Sequence, residues 1–158
     1  MNLQTDKYPS RFLVIGLGND QRGDDGAGLE IVRRLRQMHL PGVTLREAPA
    51  DGAALLEMWQ EADPVILVDA VRAEQAPGTV CRFEAHRRPL PEHVFMPLST
   101  HAFGVAEAVE LGRALGRLPA KLIVYGVTGK DFSPGAELSP EVRQGVEEVV
   151  SRVLQELE

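Results

Sequence analysis

The sequence predicts an α/β fold: one domain of three layers, a mostly parallel five-stranded sheet with helices on both faces and one antiparallel strand. Three observations predict it. Short, near-continuous apolar runs recur, led by Phe12–Leu17, Val65–Val68 and Leu122–Val127, and such runs mark strands buried on both faces. Between them, apolar residues return every three or four positions, the period of a helix with one buried stripe. Finally, the interval between Val71 and Thr79 is too short for a crossover helix, so the strand that follows runs antiparallel.

The elements follow in the order βαβαββαβα. Phe12–Leu17 is a strand ended by Gly18-Asn19-Asp20. Leu29, Ile31, Val32 and Leu35 give a helix that runs to about His39 and is stopped by Pro41-Gly42. Val43–Glu47 alternates like a half-exposed strand. Asp51 is placed to cap a helix that buries Leu55, Leu56 and Trp59. Pro64–Val71 is the second strong strand, Pro77-Gly78 a turn, and Thr79–Glu84 the antiparallel strand. Ala85–Pro97 reads as an exposed, proline-rich loop containing His86 and His93. Ser99-Thr100-His101 is expected to open a helix with Val105, Ala108, Val109, Leu111 and Leu115 inward. Leu122–Val127 is the last strand. Ser139 as N-cap and Pro140 at the first helical position open the final helix, through Val146, Val149, Val150, Val153 and Leu157.

A chain of 158 residues is one domain's worth. Residues 1–11 are polar and read as a flexible tail, and residues 12–158 as the single domain; no repeat or second linker interrupts them. No run approaches the ~20 apolar residues of a membrane span, and no signal-peptide core is present, so the cytoplasm is the expected compartment. A monomer with no membrane partner is the expected state. With 17 basic and 23 acidic residues, a net charge of -6, the chain lacks the basic balance of a nucleic-acid binder. The single cysteine, Cys81, excludes an internal disulfide, a CxxC pair and a multi-thiolate zinc site. Any metal site must use oxygen and nitrogen.

Gly16-Leu17-Gly18 fails the dinucleotide-binding fingerprint, because Gln21 stands where its third glycine belongs; started from Gly26, the same test meets Ile31. These glycines are read as serving tight turns and close packing. Gly23-Asp24-Asp25-Gly26 carries more. One of its carboxylates can cap the following helix, which leaves the other free to face a cleft. Asp69 closes the run Val65–Val68 on the edge where open α/β sheets bind ligands. His101 is expected on the same edge. Two carboxylates and an imidazole suit a borderline or hard divalent ion. Two aspartates can equally share a proton, as in an aspartyl protease. No GxSxG elbow is present and Cys81 lies inside a strand, so a Ser or Cys nucleophile has little support.

Val14-Ile-Gly-Leu-Gly-Asn19, Gly23-Asp-Asp-Gly-Ala-Gly28, Val68-Asp-Ala70 and Ser99-Thr-His-Ala-Phe-Gly104, in that order, resemble the [NiFe] hydrogenase maturation proteases. The likeness runs from Phe12 to the last helix and takes in Tyr125-Gly-Val127 and Leu138-Ser-Pro-Glu-Val142. It implies metal-contacting residues at Asp25, Asp69 and His101, with Asp24 as the alternative if the loop register slips by one, and a catalytic role for Asp25 and Asp69. It implies an endopeptidase that removes the C-terminal extension of a nickel-loaded large-subunit precursor. The nickel is supplied by that precursor's cysteines, and other divalent ions can substitute. Two alternatives share the edge: a non-proteolytic chaperone or binding module for the same precursor, and, more distantly, an unrelated nucleotide-dependent enzyme.

Overall fold

The computed structural model describes residues 12–49, 51–60, 62–95 and 103–158. Residues 1–11, read above as a tail, lie outside them, and so does His101. The strands are β1 (Phe12–Leu17), β2 (Val43–Ala48), β3 (Val65–Val71), β4 (Val80–Glu84) and β5 (Leu122–Thr128). The helices are α1 (Ala27–Gln37), α2 (Gly52–Met58), α3 (Val105–Ala114) and α4 (Pro140–Glu156). A short 3-10 turn, Gly23–Gly26, precedes α1.

The sheet order is β2-β1-β3-β5-β4. β1 pairs in parallel with β2 and β3, and β3 with β5. β4 pairs antiparallel with β5, as the short interval requires. Alternation along the strands separates two cores. Leu13, Ile15, Leu17, Leu67, Val71 and Val124 face α2 and α3. Val14, Ile66, Val68 and Tyr125 face α1 and α4. β3 and β5 are buried at every position, which is why both read as unbroken apolar runs. Asp51 caps α2 as expected, its Oδ1 accepting from Ala53 N–H at 3.0 Å.

α1 enters between β1 and β3 because Gly28 has no side chain. A Cβ there would run into the carbonyl oxygens of Leu17 and Val68. Packing, not phosphate binding, therefore explains this glycine. Gly28→Ala is expected to lower stability by about 1–3 kcal/mol through overpacking, measured by urea unfolding.

Three expectations are corrected. α3 begins at Val105, not at residues 99–101. Phe103 and Gly104 are non-helical, and Gly52 N–H donates to the Phe103 carbonyl at 2.8 Å, which holds the chain off the helical path. Leu111 and Leu115 are 40% and 54% exposed. α3 turns its small face inward instead, with Ala106, Ala108 and Gly112 beside Val105 and Val109. Gly112 sits against Trp59 and Leu118, which sets that rotation. The stretch from Ala85 is also not simply an exposed loop: Ala85, Leu90, Val94 and Phe95 are buried, and Phe95 packs edge-on to Phe83. His86 is half-buried, its Nδ1 accepting from Leu122 N–H at 3.1 Å, whereas His93 is exposed as expected.

Candidate functional site

The chain leaves β1 outward through α1 to β2, then returns past β1 to β3. The crevice outside the carboxyl ends of β1 and β3 is thus a point where strand order reverses, the usual ligand position in open α/β sheets. Asp25 and Asp69 are supplied by the two sides of that crevice.

Gly18 lets the first side form. Its φ of 136° lies in the region that favours glycine, and a Cβ would run into the Asp25 carbonyl. The turn closes on itself: Asn19 N–H donates to the Asp25 carbonyl at 3.3 Å, and Asp25 N–H to the Arg22 carbonyl at 3.1 Å. Asp25 is left half-buried.

Asp69 stands within β3 rather than at its end. It pairs with Gly126, and the strand continues to Val71 opposite Thr128. By alternation it shares the side of Leu67 and Val71, the side covered by α2 and α3. It is 6% exposed. Burial pushes its carboxyl well above the usual range, and the negative charge of Asp25 pushes it further, against one backbone hydrogen bond from Ala70. Burial also raises the Asp25 carboxyl, opposed by a backbone hydrogen bond from Asn19 and by the attraction of Arg22 and Arg72. The two carboxylates therefore repel each other across a shared site. Neither forms an ion pair among the described residues.

Asp24 has a different task, which answers the question of register. It is fully buried, and its carboxylate accepts from Lys130 N–H (2.7 Å), Asp131 N–H (2.9 Å), Ser139 N–H (2.7 Å) and the Ser139 hydroxyl (2.9 and 3.1 Å). No capacity remains for a ligand. The expected cap on α1 is absent, since Gly26 holds that position without a side-chain bond. Asp24 instead ties the loop after β5 and the start of α4 to the 3-10 turn. Ser139 is the N-cap residue by position, but its hydroxyl serves Asp24 and not the helix.

Asp25 and Asp69 act on each other through their charge, and His101 is not among the residues described. Among those described, no group of three His, Cys, Asp or Glu side chains could hold a metal ion. Cys81 lies in β4, its Sγ directed at Gln75 Oε1 (3.3 Å) and its thiol pushed up by burial. Two residues that the sequence did not single out, Arg22 and Arg72, act on Asp25 by attraction.

The sequence profile of the hydrogenase maturation proteases matches residues 29–156. The chain belongs to the hydrogenase maturation protease family. The hydrogenase 2 maturation protease of Escherichia coli is 31% identical over 147 residues, which cover 91% of this chain and 88% of that relative. The hydrogenase maturating endopeptidase HybD of E. coli superposes with a TM-score of 0.78 at 30% identity, covering 93% of this chain and 91% of that one. A hydrogenase 2 maturation peptidase from a Thaumarchaeota archaeon gives a TM-score of 0.69 at 28% identity, covering 93% and 97%. This hydrogenase maturation protease family member therefore has the endopeptidase fold over almost its whole length, with Asp25 and Asp69 in the crevice at the end of its sheet.

Proposed function

We propose that this protein removes the C-terminal extension of a [NiFe] hydrogenase large-subunit precursor and recognises the nickel that the precursor already carries. The observation that carries the reading is the pair Asp25 and Asp69, held at the strand-order reversal without an ion-pair partner among the described residues, in a chain of this family. Fold maintenance does not require two carboxylates that repel each other in a buried crevice. Perturbed, unpartnered acids in such a place are functional candidates.

In this reading the two carboxylates and His101 offer oxygen and nitrogen donors to a metal whose thiolates belong to the substrate. One carboxylate takes a proton from the attacking water as general base. The nickel arrives with the substrate, and another divalent ion can take its place. The protein acts as a monomer in the cytoplasm. No helix among the described residues is long and apolar enough to cross a membrane.

The test is incubation of the purified protein with the precursor, nickel-loaded and nickel-free, followed by mass spectrometry. A product shortened at its C-terminus is expected with nickel alone. Intact precursor in both arms would sink the proteolytic reading in favour of a chaperone. Cleavage in both arms would remove nickel recognition.

A further inference from the structure

Four large apolar side chains stand open to solvent among the described residues: Met38, Phe103, Leu111 and Leu115. Three of them belong to one segment, the entry to α3 and the helix itself with its cap. Leu111 and Leu115 are four residues apart, so they are neighbours on one face of the helix. Gly112, packed against Leu56, Trp59 and Leu118, turns that face outward, while Val105, Ala106, Ala108 and Val109 fill the core without it. A single exposed leucine is ordinary. An aligned pair on a helix whose core side is already complete is the pattern of an interaction surface.

This face starts at the crevice. Phe103 leads into α3 and lays its ring over Gly52: a Cβ on Gly52 would run into that ring, and Gly52 N–H donates to the Phe103 carbonyl at 2.8 Å. Gly52 opens α2, which follows β2, and the Ala48 carbonyl at the end of β2 accepts from Gly18 N–H at 3.1 Å. Gly18 in turn lies against Asp25. A series of contacts thus joins the head of α3 to the turn that carries Asp25. From Val105, Leu111 lies about 9 Å and Leu115 about 15 Å along the helix. A standard interface covers roughly 800 Å² of each partner, enough to take in the crevice rim and both leucines. Glu107, one turn before Leu111, and Glu110 beside it are both exposed. They give the apolar centre a charged margin, as protein interfaces have.

We propose that Leu111 and Leu115, with Phe103 at their head, form the surface on which the body of the large-subunit precursor docks while its C-terminal extension lies in the crevice. The inference rests on the substrate named in the proposed function. The partner that fits presents apolar side chains to the leucines and basic groups to Glu107 and Glu110. A second copy of this chain seated here would cover the rim by which the extension must enter, which favours the precursor as occupant. Contacts so far from the bond that breaks are made equally before and during the reaction, so they set affinity rather than the chemical step.

The test measures affinity for immobilised nickel-loaded precursor by biolayer interferometry, and cleavage separately by mass spectrometry, for wild type, Leu111→Gln, Leu115→Gln, the double variant and Met38→Gln. Glutamine keeps the helix propensity and removes the apolar contact. Each leucine variant is expected to weaken affinity by about 5–30-fold, and the double variant by at least about 50-fold. Met38 caps α1 on the other side of the sheet, and Met38→Gln should stay within about twofold of wild type. Affinity within about twofold of wild type in the double variant would overturn the proposal, as would an equal loss in Met38→Gln, which marks non-specific adhesion. A loss of cleavage that saturating enzyme does not restore would overturn it too. So would a wild-type dimer in sedimentation that the double variant dissociates, which assigns the face to a second copy. Thermal melts identify a variant that fails to fold, and the other leucine then decides alone. A wild type that binds the precursor but leaves it intact refutes the proteolytic reading and leaves this surface standing; one without affinity for the precursor overturns the surface.

Discussion

Asp69→Asn is expected to abolish precursor processing and at the same time to raise the melting temperature at neutral pH. On the proposed function, in which Asp69 acts as general base or meets the substrate's metal, its loss should slow cleavage by about 10²–10⁴-fold, seen as persistence of the precursor band. The stability gain follows from linkage. Burial and the charge of Asp25 raise the folded-state carboxyl of Asp69 well above its ordinary value. Below pH ~4, the ordinary aspartate range, both folded and unfolded chains keep the proton and the residue costs nothing. As pH rises through that range the unfolded chain releases its proton first, so folding is progressively penalised. Asparagine carries no charge to penalise and escapes. The gain should be roughly 1–2 kcal/mol, or about 2–8 °C in Tm for a chain of this size. It should vanish in melts taken below pH ~4. A variant that loses both activity and stability at pH 7 would show that Asp69 holds the fold instead.

The neighbouring acid should behave in the opposite way. Asp24→Ala strands the N–H groups of Lys130, Asp131 and Ser139 and the Ser139 hydroxyl in a buried place. A cost of about 3–5 kcal/mol is expected, large for one substitution and readable as a drop in urea midpoint. Asp24→Asn should not rescue it, because an amide turns two donors toward groups that are themselves donors. Cleavage should fall only as far as the folded fraction falls, while Asp69→Asn separates activity from folding. Equal stability of Asp24→Asn and wild type would refute the staple.

The contrast between these two acids shows where the sequence stops being legible. Adjacent carboxylates between glycines were readable as a pair with two duties, one structural and one facing the cleft. Which had which duty was not. The partners of Asp24 lie 106 to 115 residues away in the chain, and neither pattern nor propensity carries information over that distance. Asp69 was legible because a charge in a run of Val, Ile and Leu breaks the local rule without a local partner. The attraction of Arg22 and Arg72 on Asp25 was not, because single arginines in loops read as ordinary surface residues.

Local periodicity determined most of the architecture. β3 and β5 announced themselves because every position is buried, and the short gap before β4 forced an antiparallel edge. The amphipathic stripes of α1 and α4 point where their spacing requires. For α3 the stripe misled: Leu111 and Leu115 kept the helical period but face solvent, because Gly112 against Trp59 sets the rotation of the helix. The sequence by itself determined the strands, their order of appearance, the cap of α2 and the start of α4, since each rests on residues within one or two turns of each other. Only the tertiary structure decided which aspartate is consumed by the fold and which side of α3 is buried. Those outcomes depend on close approach between distant segments, where hydrogen-bond satisfaction and packing, rather than local preference, select the partner.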